Sequence, residues 1–245
     1  WLVELSPPAG YVVSTPVLFR VRTDGESQSV TMVDLPTTVV ITKTGIRGFG
    51  LAGAELELWL TSDIGVAGKI PFDTWTSDGQ PHMIQGALVA GESYTLIETS
   101  APAGYTIAAP VVFRVNVTAL PKYVRMDDDQ TRITFSKQSV TSTAELPGAT
   151  LTIYDSNGAV VKDGNGNDLT WVSGTTPHVV TGALDVGKAY TLVEVTAPNG
   201  YAVAEAIEFT LNPDGTIVGT RGETGIVMKD GLTTITVSKR AVGSA

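Results

Sequence analysis

The stretch Tyr94-Thr-Leu-Ile-Glu98-Thr-Ser-Ala-Pro102-Ala-Gly-Tyr105 decides the reading of this chain, because it recurs. It returns as Tyr190-Thr-Leu-Val-Glu194-Val-Thr-Ala-Pro198-Asn-Gly-Tyr201, and in a third form from Trp1-Leu-Val-Glu4 through Pro8-Ala-Gly-Tyr11. The glutamates lie 94 and 96 positions apart (98 − 4 and 194 − 98). Self-similarity at a near-constant period marks a repeat architecture.

Two further motifs follow each copy in step. The first is Met32-Val-Asp34, Met126-Asp-Asp128 and Met228-Lys-Asp230. The second is Ile41-Thr-Lys43, Phe135-Ser-Lys137 and Val237-Ser-Lys239. The step from Asp to Lys is nine positions in each case (43 − 34, 137 − 128, 239 − 230). Minor residues repeat as well: Trp75 and His82 match Trp171 and His178, each 96 positions on. The natural unit therefore opens just before a Lys and closes just after an Asp. Residues 37–130 and 131–231 read as complete units. Residues 1–36 read as the C-terminal part of a preceding unit, and 232–245 as the first strand of a following one. The junctions leave almost no linker, which predicts a stiff array.

Composition narrows the classes. Val and Thr are plentiful, Gly and Pro recur in short clusters, and runs of helix formers are missing. This favours an all-β chain of short strands joined by turns. The formal charge of −9 over 245 residues argues against nucleic acid or anionic lipid as a partner. No stretch reads as a membrane span or a signal peptide. There are no cysteines, so disulfides and thiolate metal sites are excluded.

Strand parity gives the motifs their chemical meaning, since alternate side chains share a face. Val39, Ile41 and Lys43 share one, as do Ile133, Phe135 and Lys137, and Ile235, Val237 and Lys239. Tyr94, Leu96 and Glu98 share another, as do Tyr190, Leu192 and Glu194. Val124 and Met126 select Asp128 over Asp127 and Asp129, and Ile226 and Met228 select Asp230. Each complete unit is thus expected to bury one amine and two carboxyls. Desolvation disfavours the charged form of both kinds of group, and adjacent carboxyls resist ionising together. A neutral amine is a nucleophile, and a hydrogen-bonded carboxylic acid is an electrophile. Held together by the fold, the two would condense to an amide with loss of water. The alternative is a buried Lys–Asp salt bridge with Glu as a spectator. Three registered copies on apolar faces favour the covalent reading, because buried charges are so costly.

These motifs resemble the B-type (CnaB-like) repeats of Gram-positive collagen adhesins and the related immunoglobulin-like domains of sortase-assembled pilins. The segment from Tyr94 to Tyr105 resembles that family's E-box. The resemblance implies tandem β-sandwiches of immunoglobulin-like or transthyretin-like topology. It implies that Glu98 and Glu194 catalyse isopeptide formation, with Glu4 in the same role for the preceding unit. The bonds implied are Lys43–Asp128 and Lys137–Asp230. Asp34 and Lys239 would find their partners outside this chain. No cofactor and no metal is implied.

The remaining motifs read as structural. Asp155-Ser-Asn-Gly158 and Asp163-Gly-Asn-Gly-Asn-Asp168 read as turns rather than calcium loops, since the second lacks Gly at its sixth position and an acid at its twelfth. His82 and His178 read as packing or edge residues, and Trp75 and Trp171 as filling repeated niches. Leu120-Pro-Lys122 reads as a loop. The expectation is a structural stalk segment of an extracellular, cell-wall-associated fibre or adhesin, not an enzyme with an external substrate. Its partners would be neighbouring repeats of the same polypeptide, a homopolymeric fibre, and a host matrix protein or glycan. The rival readings are a backbone subunit of a sortase-assembled pilus and a ligand-binding adhesin module.

Overall fold

A computed structural model describes residues 1–240 and 243. The chain divides into two compact units: 1–102 with 107–129, and 103–106 with everything from Gln130 onward.

In the first unit, β1 (Tyr11–Val12) and β2 (Leu35–Pro36) pair antiparallel near the start. Seven strands come after them: β3 (Thr38–Thr44), β4 (Ala52–Leu60), β5 (Asp73–Asp78), β6 (His82–Gln85), β7 (Ser93–Ser100), β8 (Val111–Arg114) and β9 (Lys122–Asp127). They form a three-stranded sheet, β6-β3-β9, and a four-stranded sheet, β5-β4-β7-β8. Alternate residues turn inward from both sheets. Val39, Ile41, Leu56, Leu58, Tyr94, Leu96, Phe113, Val124 and Met126 make the core between them.

The second unit repeats the plan with β10 (Arg132–Ser139), β11 (Thr150–Asp155), β12 (Thr170–Val172), β13 (His178–Thr181), β14 (Ala189–Thr196), β15 (Ile207–Thr210) and β16 (Gly225–Asp230). Its sheets run β13-β10-β16 and β12-β11-β14-β15. Ile133, Phe135, Leu151, Ile153, Tyr190, Leu192, Phe209, Ile226 and Met228 fill the space between them. The all-β tandem sandwich expected from the sequence is the observed architecture.

One pairing positions the lysine and aspartate of each repeat. The first strand of each repeat lies beside the last, in parallel: β3 with β9, and β10 with β16. Lys43 stands opposite Met126 and Lys137 opposite Met228, so each Asp two positions on lies just past its Lys. Parallel neighbours need a long crossover, and here the whole sandwich serves as one.

Two local expectations change. The strand expected over 232–245 does not form among the described residues. Leu232 makes a single bridge to Tyr201, and Ile235 and Val237 are 86% and 87% exposed. In the complete repeats this segment takes its ladder bonds from the counterparts of β6 and β9, and among the described residues no strand comes after β16 to supply them. Residues 241, 242, 244 and 245 lie outside the described residues. Lys122, expected in a loop, opens β9 opposite Val39.

Candidate functional site

The parity argument places all three ionisable groups of each repeat in the core, and the structure brings them together. Lys43, Glu98 and Asp128 are buried, as are Lys137, Glu194 and Asp230. In the first unit Lys43 Nζ contacts Asp128 Oδ1 and lies 3.2 Å from Glu98 Oε2. In the second, Lys137 Nζ contacts Asp230 Oδ1 and lies 3.3 Å from Glu194 Oε1. Asp127 turns to the opposite face, where Arg125 lies 2.6 Å from its Oδ1.

Each group is placed by a different element. Lys43 and Asp128 come from the parallel neighbours β3 and the end of β9, with the Asp128 amide donating to Thr44 O at 2.9 Å. Glu98 comes from the facing sheet, on β7. The Ala108 amide, ten residues on, donates to Glu98 Oε2 at 2.6 Å, and the Ala204 amide donates to Glu194 Oε2 at the same distance. Each glutamate is thereby fixed on one oxygen.

A feature without a signature in the sequence follows the glutamates and redirects the residues after them. On β4 and β7, Leu56 faces Glu98 but Glu55 faces Ser100, so Thr99 is an extra residue. On β11 and β14, Leu151 faces Glu194 but Thr150 faces Thr196, so Val195 is extra. A β-bulge therefore comes directly after each motif glutamate. Bulges break the alternation and re-aim side chains beside functional sites. Here the two residues after each glutamate both turn to solvent. The motif tyrosines have a separate role: Tyr94 and Tyr190 accept, through their hydroxyls, the Val89 and Asp185 amides at 3.2 and 2.8 Å.

The electrostatics suit a nucleophilic amine. Burial pushes the pKa of Lys43 down, and the neighbouring Glu98 only partly offsets it. Lys137 is lowered for the same reason, with Glu194 as the opposing charge. Asp128 Oδ2, Asp230 Oδ2 and Glu98 Oε1 are buried without a hydrogen-bond partner. Leaving such atoms unpaired is costly for a simple ion pair. An amide formed at Oδ1's position would remove the charge that makes it so.

The other residues singled out by the sequence take structural places. The Ser14 amide donates to Glu4 Oε2 at 2.7 Å, and Ser14 Oγ lies 2.7 Å from Asp34 Oδ1. Glu4 and Asp34 thus converge on Ser14, which occupies the place of Ala108 and Ala204. Lys239 is exposed. Asp155 Oδ1 accepts the Asn157 and Ala159 amides, and Asp163 Oδ1 accepts those of Asn165 and Asn167, so both loops are built as Asx turns. Trp75 stacks on His82 with ring centroids 4.2 Å apart, and Trp171 on His178 at 4.3 Å. Each stack joins an edge strand of one sheet to an edge strand of the other.

The family model of the SpaA prealbumin-like fold domain matches residues 37–130 and again 131–224. The chain belongs to this family. Among solved structures, the chain is similar to the Bacillus anthracis TIE protein, with 23% identity over 81% of this chain and 35% of that one, at a TM-score of 0.42. It therefore spans about a third of that protein's length. It is also similar to the shaft pilin SpaA from Lactobacillus rhamnosus GG, with 17% identity over 82% of this chain and 99% of that one (TM-score 0.36). A C-terminal fragment of the pilus adhesin SpaC from the same organism matches with 15% identity over 82% and 99%, at 0.39. A comparison with curated protein sequences gives no match.

Proposed function

We propose that each complete repeat closes its own Lys–Asp isopeptide bond, and that the chain is a stalk segment of an extracellular, cell-surface fibre or adhesin. The observation that carries the first part is the buried contact of Lys43 with Asp128, and of Lys137 with Asp230, each within 3.3 Å of a glutamate oxygen. The desolvated lysine amine attacks Cγ of the aspartic acid. Glu98 or Glu194 holds the carbonyl and carries the proton from the amine to the leaving hydroxyl. One C–N bond forms, one C–O bond breaks, and one water leaves. Both reactants sit on neighbouring strands, so the effective concentration is high and no external substrate takes part. The reaction runs once per repeat, which makes this a structural protein and not a turnover enzyme.

The stalk reading rests on where the bond falls. It ties the first strand of a repeat to its last, the two strands through which tension enters and leaves. The family supports a pilus or surface role for such domains in Gram-positive bacteria. The proposed units are 37–130 and 131–231, flanked by 1–36 and 232–245. Glu4 and Asp34 are proposed as the acidic half of a third site, and Lys239 as the amine of a fourth.

Peptide mapping of the digested chain tests the bonds. A branched peptide joining the segments of Lys43 and Asp128, and another joining those of Lys137 and Asp230, is the expected result. Linear peptides carrying an unmodified Lys43 and Lys137 would overturn the proposal.

A further inference from the structure

Six residues beyond each motif glutamate stands a glycine (10 − 4, 104 − 98, 200 − 194), and six residues before each motif lysine stands a threonine (43 − 37, 137 − 131, 239 − 233). The structure joins each glycine to a threonine. In the first unit Gly10 O accepts the Thr37 amide at 2.8 Å. Thr37, 1% exposed, reaches with its hydroxyl to Leu88 O at 2.7 Å and lies 3.1 Å from Gly10 O. In the second unit Gly104 O accepts the Thr131 amide at 2.9 Å, and the Thr131 hydroxyl lies 2.6 Å from Leu184 O and 3.2 Å from Gly104 O. Gly200 O accepts the Thr233 amide at 2.9 Å in the same way.

The fit is close enough to dictate the residue. Gly10 has φ +85° and Gly104 φ +78°, which only glycine adopts freely. A Cβ on Gly10 would lie 2.2 Å from Gly86 O, and one on Gly104 2.3 Å from Gly182 O. Both obstacles are backbone and cannot swing aside. Gly200 shares the conformation, at φ +86°, but a Cβ there would meet nothing within 4 Å. Turn geometry alone therefore accounts for Gly200, whereas Gly10 and Gly104 carry a second, steric demand.

We infer that the Pro-x-Gly-Tyr turn ending each glutamate motif is a docking element, and that its receptor is the opening Thr and the Gly-Ala-Leu turn of the repeat that comes next. Gly86-Ala-Leu88 and Gly182-Ala-Leu184 are the two receptor turns of this chain. The partner class is accordingly a Pro-x-Gly-Tyr turn of the same family. The clasp uses hydrogen bonds and backbone contact alone, so it is independent of the isopeptide chemistry. It does place the docking contact on the same two segments that carry the reactive Glu and Lys.

Amide exchange measured residue by residue on the full chain tests this. Gly10→Ala and Gly104→Ala are compared with Gly200→Ala, which bears the same conformational penalty without the clash. The inference expects the Thr37 amide in Gly10→Ala, and the Thr131 amide in Gly104→Ala, to exchange about tenfold faster or more. Gly200→Ala should leave both within about twofold. Thr131→Val, which keeps the shape and removes the hydroxyl, should raise exchange at position 131 several-fold. Protection of the core amides of Leu56 and Leu96 in the first unit, and of Leu151 and Leu192 in the second, reports that each repeat stays folded, whatever its covalent state. Unchanged Thr37 and Thr131 protection in the two clashing variants, or equal loss from all three glycine variants, would overturn the inference.

Discussion

Lys43 and Lys137 show how far a single side chain can be read from the bare sequence, and how its surroundings then decide its chemistry. A lysine on an apolar strand face is destabilising unless something neutralises it, and each of these meets two carboxyls at the end of its reach. Replacing Lys43 by Met should remove one bond and leave the other intact. The closed loop spans 85 positions, and the chain-entropy model, borrowed from disulfides, assigns it about 4 to 5 kcal/mol. The melting temperature of the first repeat should fall by roughly 20 °C or more, as scanning calorimetry would reveal. His178 offers a pH test. Its pKa is lowered from the usual 6.5 by burial, so the unfolded chain binds the proton more readily than the folded one. The stability it contributes is full above the unfolded value and is lost as pH falls through that value toward the folded one. Thermal melts between about pH 7.5 and 5 should show a loss that His178→Phe reduces, and an identical pH slope in the variant would contradict it.

At the scale of elements, strand parity is the working tool, and it selects one aspartate from a run of three. Asp128→Ala should abolish the first bond although Asp127 and Asp129 flank it, because both project to the other face. Peptide mapping that found Lys43 joined to either neighbour would refute the parity argument. Parity was legible because Thr42 separates Ile41 from Lys43, and Arg125 separates Val124 from Met126. The bulges after Glu98 and Glu194 were not. Thr99 and Val195 are ordinary strand residues, and only the partner strand's register reveals them as extra. The Trp–His stacks were half legible: the 96-residue spacing paired Trp75 and His82 with their counterparts. That the two rings touch depends on how the edges of two sheets meet, which no local pattern encodes. The parallel neighbours β3 and β9 were implied only by chemistry, since an amine that must meet a carboxyl has to lie beside it.

For the whole chain, the consequence is mechanical. The proposed covalent ties between first and last strands would shield 85 positions in one repeat and 93 in the other from extension. An untied repeat of the first kind would release about 300 Å of chain when pulled open. Force spectroscopy on tandem copies should show no such step, and Lys43→Met should restore one per copy. Kinetic resistance of this sort does not need an oxidising compartment, which suits a chain without cysteine. Isopeptide closure is read directly from the intact mass of the denatured chain, beside Glu98→Ala and Glu194→Ala. A deficit of two waters from the sequence mass, falling to one water in each variant, is the expected result. A denatured chain at its full sequence mass would contradict it and leave two sandwiches with buried ion triads.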